Sequence, residues 1–71
     1  MLPLSRELEA KLGQELAAKR AEHADLDAAI VTLVGSAAAD QTLIQRLKKR
    51  KLLLKDRIVV LENILLPDII A

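Results

Sequence analysis

With 71 residues the chain can form one small domain at most, below the size at which a single apolar core comfortably stabilises a fold by itself. It has no cysteine, which excludes disulfides and thiolate zinc sites as extra support and leaves association, and it has no Phe, Tyr or Trp on which a nucleobase could stack. The formal net charge of +1 hides a division: Glu7, Glu9, Glu15, Glu22, Asp25 and Asp27 load the first half, while Arg46, Lys48, Lys49, Arg50, Lys51, Lys55 and Arg57 crowd the second.

At the N-terminus, Met1-Leu2-Pro3-Leu4 runs into charged Arg6, Glu7 and Glu9 instead of an apolar signal-peptide core, so a cytoplasmic location is expected. Ser5 can cap a first helix, predicted over residues 5–34, and Glu7 and Glu9 oppose the positive end of its macrodipole. Within it Leu12, Leu16, Lys19, His23, Leu26, Ile30 and Leu33 recur at alternating steps of four and three, the spacing of one helix face. Gly35 suits a left-handed position just past the helix end, and residues 35–39 make a turn short enough to imply antiparallel neighbours.

Asp40 is the natural N-cap of a second helix over residues 40–66, which Pro67 ends because it has no N–H to donate and disfavours helical geometry in the residue before it. Residues 67–71 form a short apolar tail. Ile44, Leu47, Lys51, Leu54, Ile58, Leu61 and Leu65 give the second helix a matching seam, and at about 1.5 Å per residue each helix is roughly 40 Å long. The expected fold class is therefore all-α, a two-helix antiparallel coiled-coil-like hairpin that completes a helical bundle by self-association or by docking on a partner. Closing the hairpin at Gly35 places Leu33 near Ile44, Ile30 near Leu47, His23 near Leu54 and Leu16 near Leu61. On the flanks it predicts Glu22 beside Arg57 and Asp27 beside Lys48.

The string His23-Ala24-Asp25-Leu26-Asp27-Ala28-Ala29-Ile30-Val31-Thr32-Leu33 is followed by Asp40 and then by Leu47-Lys48-Lys49-Arg50-Lys51-Leu52-Leu53-Leu54-Lys55-Asp56-Arg57-Ile58. Together they resemble the YdcH-like family of small bacterial helical-hairpin proteins, a domain of unknown function. The resemblance spans roughly Glu22 to Leu61. It implies a bacterial source, a two-helix architecture and a cytoplasmic location, and it carries over no catalytic residue.

His23 is the only histidine, and with Asp27 four residues later it offers two ligands on one helix face, too few for a metal site. It reads instead as a polar seam residue that fixes helix register. There is no glycine-rich phosphate loop and no serine beside a histidine in sequence, and a two-helix hairpin lacks a concave pocket for chemistry, so neither an enzyme nor a cofactor is expected. The segment from Arg46 to Arg57, with Arg46, Lys48, Lys49, Arg50, Lys55 and Arg57 as candidate contacts, offers weak nucleic-acid binding as the alternative function. Against it stand the acidic residues on the facing helix.

The stretch from Ile58 to Leu66 is too short for a transmembrane helix, yet too apolar for an ordinary solvated helix end. Beyond the seam, Leu52, Val59 and Leu66 form one stripe and Leu53, Val60 and Ile64 a second, more than one neighbouring helix can cover. These six residues are the candidate partner-binding set. The first helix carries Ala17, Ala21, Ala24 and Ala28 on its outer face, small enough for close approach of a further helix. The predicted role is a small protein–protein interaction module whose partner is itself, most simply as a dimer, or a larger protein assembly.

Overall fold

The computed structural model describes residues 4–66, so the reading of 67–71 as an apolar tail lies outside the described residues. The described residues form two helices, α1 from Arg6–Val34 and α2 from Gln41–Leu65. Ser5 opens α1 with extended backbone at φ −69° and ψ 156°, and its hydroxyl accepts the Leu8 N–H at 3.1 Å. Asp40 does the same for α2, accepting the N–H groups of Thr42 at 2.9 Å and Leu43 at 3.3 Å. In both cases a short polar side chain satisfies donors that the first helical turn leaves without a partner. α2 stops after Leu65. Leu66 precedes Pro67 and has left helical geometry, with φ −112° and ψ 87°.

The end of α1 differs from the sequence expectation. Gly35 has φ −78° and ψ −5°, right-handed and not left-handed, and no described residue has positive φ. The helix unwinds instead of flipping hand: Gly35 N–H donates to Val31 O at 3.2 Å and Ser36 N–H to Leu33 O at 3.1 Å. Ser36 then carries the reversal, its carbonyl accepting from Ala39 N–H and its hydroxyl from Ala38 N–H, each at 3.3 Å. Spread over several residues, the turn needs no left-handed position.

The helices pack as an antiparallel hairpin. Leu16, Ile30, Ile44, Leu54, Ile58 and Leu61 are buried, and every one belongs to the two seams read from the sequence. Leu16, Ile58 and Leu61 form a core cluster at the open end, with Leu12 and Leu65 packed against it, so Leu16 does lie with Leu61. Nearer the turn, Ile30 and Ile44 are buried, while Lys19, His23 and Lys51 are half-buried between the two ends. The molecule measures 52 × 28 × 15 Å. At 15 Å it is a little over one helix thick, so each helix meets only one neighbour and keeps most of its circumference in solvent.

Candidate interaction surface

Among the described residues three ion pairs staple the hairpin along its flanks. Arg57 grips Glu15 with both oxygens engaged, Nε at 2.7 Å and Nη2 at 2.8 Å, and Arg20 Nη2 donates to Glu62 at 2.7 Å. Lys51 Nζ donates to Asp27. The expected partners Glu22 for Arg57 and Lys48 for Asp27 are thus replaced. Lys51 lies closer to the seam than Lys48, which sits farther round the helix. The Arg57 fork reaches the seam-side carboxylate of Glu15, where it binds bidentately. These hydrogen bonds hold the carboxyls of Glu15, Asp27 and Glu62 below their ordinary pKa values, and Glu15 in turn raises that of Arg57.

Asp27 is therefore committed to a lysine and does not join His23 as a ligand pair. The described residues contain no group of three or more side chains able to hold a metal. His23 is half-buried at its seam position.

The six apolar residues expected to meet a partner, five on α2 and Leu66 just past its end, all face solvent, from 42% exposure at Val59 and Ile64 to 66% at Leu52. Ala17, Ala21, Ala24 and Ala28 of α1 are likewise exposed. Helical spacing assigns the α2 residues to two flanks. Leu52 and Val59 share the side of Lys48 and Lys55; Leu53, Val60 and Ile64 share the side of Arg46, Arg50 and Arg57, while Leu66, expected to extend the first stripe, lies past the helix end with non-helical backbone.

On that second side, Arg46, Arg50, Leu53, Arg57, Val60 and Ile64 form a single row at steps of four, three, four, three and four. Across a shallow groove of about 370 Å³ lies the matching row of α1: Lys11, Glu15, Ala18, Glu22, Asp25 and Ala29. Glu15, Lys19, Glu22, Arg50, Leu53, Leu54 and Arg57 line this groove, and a second depression beside it is lined by Glu22, Asp25, Leu26, Ala29 and Arg50. Neither lining contains a serine or a histidine. In the sequence the apolar stripe and the basic segment read as separate features. The four-three spacing that joins them was present in the sequence, but the mixture of Arg with Leu and Val hides it from a search for apolar periodicity.

A family model described as "Protein of unknown function (DUF465)" matches residues 16–62, two-thirds of the chain. The chain belongs to this family. The match takes in the hairpin from Leu16 of the open-end core, through the turn, to Glu62 of the last ion pair. DUF465 is the YdcH-like family, whose members have no assigned function, so membership settles the kind of protein and leaves its role to the surface. No curated protein and no solved structure matches the chain. None of the described helices is long and apolar enough to cross a membrane.

Proposed function

We propose that this DUF465 chain is a non-catalytic interaction module, a helical hairpin that binds other helices through the apolar side chains α2 turns to solvent. The observation that carries the reading is the exposure of Leu52, Leu53, Val59, Val60 and Ile64 on one 25-residue helix and of Leu66 just past its end. Each is about half exposed, so covering it is worth about 1 kcal/mol and the set on the order of 6 kcal/mol. That is comparable with the whole stability expected of a chain this small, roughly 3–5 kcal/mol. Clustered apolar surface on this scale marks a binding site more often than bare solvent contact.

A photo-cross-linking amino acid placed at Leu53 or at Leu52 tests the reading in cells that make the protein. Discrete covalent adducts, to another copy or to another protein, are expected from both positions and not from Ser36 in the turn. If neither apolar position gives an adduct while the protein is folded and abundant, the surface has no partner and the reading fails.

Nucleic-acid binding through Arg46, Lys48, Lys49, Arg50, Lys55 and Arg57 has less support. Arg57 is held by Glu15, and Glu22 and Asp25 line the grooves that Arg50 faces. Retention on a polyanion resin that falls steeply with salt would favour that alternative.

A further inference from the structure

Resting on that reading, we infer that one partner is a second copy of this chain. The two hairpins pack groove to groove, the acidic row of α1 in each lying along the basic row of α2 in the other, about a two-fold axis parallel to the helices. The argument begins with charges that the hairpin leaves over. Among the described residues Glu15 is paired with Arg57, but Glu22 and Asp25 on one side of the groove and Arg50 on the other have no ion-pair partner in their own chain. A surface with an acidic half and a basic half side by side is complementary to itself when turned by half a rotation.

Two symmetric ways exist to stack such faces. An axis perpendicular to the helices sets α1 on α1 and α2 on α2, so that Glu22 and Asp25 meet their own copies and Arg50 and Arg57 meet theirs. An axis parallel to the helices sets α1 of each copy on α2 of the other, so that Glu22 and Asp25 of one meet Arg50 and Arg57 of the other. Like charges brought together at an interface are strongly unfavourable, so the pattern selects the second arrangement.

The register then follows without adjustment, because a two-fold rotation about an axis parallel to the helices moves nothing along them. Packing of Leu16 with Leu61 sets the levels within one hairpin, and the same levels hold between copies. Asp25 comes level with Leu52, about a turn or less from Arg50; Glu22 comes level with Lys55, close to Arg57. Ala18 comes level with Val59, leaving room for Val60 against its methyl group. Leu53 closes the centre beside Glu22 and Asp25, so the apolar and charged contacts fit one docking. The opposite face offers a copy no such match: Lys51 and Arg20 there already hold Asp27 and Glu62.

Sedimentation equilibrium of the full chain and of two variants, Asp25→Arg and Arg50→Glu, tests the arrangement. The wild type is expected to be dimeric at tens of micromolar. Each variant alone faces two like-charge contacts per dimer and should associate at least about tenfold more weakly. An equimolar mixture should recover wild-type association, because a heterodimer then holds one original contact and one reversed contact, both attractive. Restoration by mixing cannot come from repair within a chain, and it remains readable as recovered helicity even if the single variants unfold when dilute.

Three results would overturn the inference: a wild type that stays a monomer at those concentrations, a dimer indifferent to the single variants, or variants that the double substitution in one chain rescues and mixing does not. A monomer that still cross-links to another protein from Leu53 in cells would refute the self-pairing and leave the interaction module standing.

Discussion

Replacing Leu61 by alanine tests where the stability of the hairpin resides. Leu61 is fully shielded at 0% exposure and sits in the open-end cluster with Leu16 and Ile58. Removing its isobutyl group deletes apolar burial and leaves a cavity, because the rigid helix backbones around it relax only in part; such changes cost about 3 kcal/mol, within a range of roughly 2–5. In a domain of this size each kcal/mol moves the melting temperature by about 4–8 °C, so the midpoint should fall by roughly 12–24 °C. The assay is helical circular dichroism against temperature and urea, at one fixed protein concentration because any association would add to apparent stability. Val31→Ala is the control: Val31 is 67% exposed, and alanine's higher helix propensity makes the change neutral or slightly favourable, within about 0.5 kcal/mol. A Leu61→Ala variant that loses less than about 1 kcal/mol would refute the placement of the core at the open end.

Three further perturbations follow from the same structure. Asp40→Ala removes the acceptor for the Thr42 and Leu43 N–H groups and should cost about 1 kcal/mol in urea denaturation; an unchanged midpoint would mean the cap contributes nothing. His23→Leu replaces a half-buried polar ring at the seam with an apolar side chain and should raise stability by about 1 kcal/mol, whereas destabilisation with loss of stoichiometric zinc would expose a metal site. Lowering the pH should weaken the hairpin. Glu15, Asp27 and Glu62 bind protons less readily when folded than when unfolded, so their contribution is fully present above their ordinary values, 4.5 for the glutamates and 3.8 for Asp27. It is lost as the pH falls through the lower folded values. A melting temperature that stays flat from about pH 7 to about pH 3 would show that these pairs do not contribute.

The features legible in the sequence are those that local chemistry and helical spacing control. Ser5 and Asp40 cap because a short side-chain oxygen is held next to free N–H groups a few residues on, and no distant residue is involved. The seam is legible because four-three spacing places Leu16, Ile30, Ile44, Leu54, Ile58 and Leu61 on facing stripes wherever the helices meet. The conformation of Gly35 is not legible for the opposite reason. Glycine permits a left-handed residue but does not demand one, and the choice was left to the path from Val34 to Gln41, which Ser36 organises through its own carbonyl and hydroxyl.

What the sequence by itself determined is therefore the pair of helices, their capped starts, their antiparallel order and the stripe each buries. What only the tertiary structure decided is which flexible side chain finds which across the hairpin: Arg57 with Glu15, Lys51 with Asp27, Arg20 with Glu62. Several acidic and basic residues of similar reach compete on each flank, and spacing along one helix says nothing about angular position relative to the other. The groove between an acidic row and a basic row arises in the same way. Each row can be counted along its own helix, but only the packing of Leu16 against Leu61 brings Glu22 and Arg50 to one opening and leaves Leu53 exposed between them and solvent.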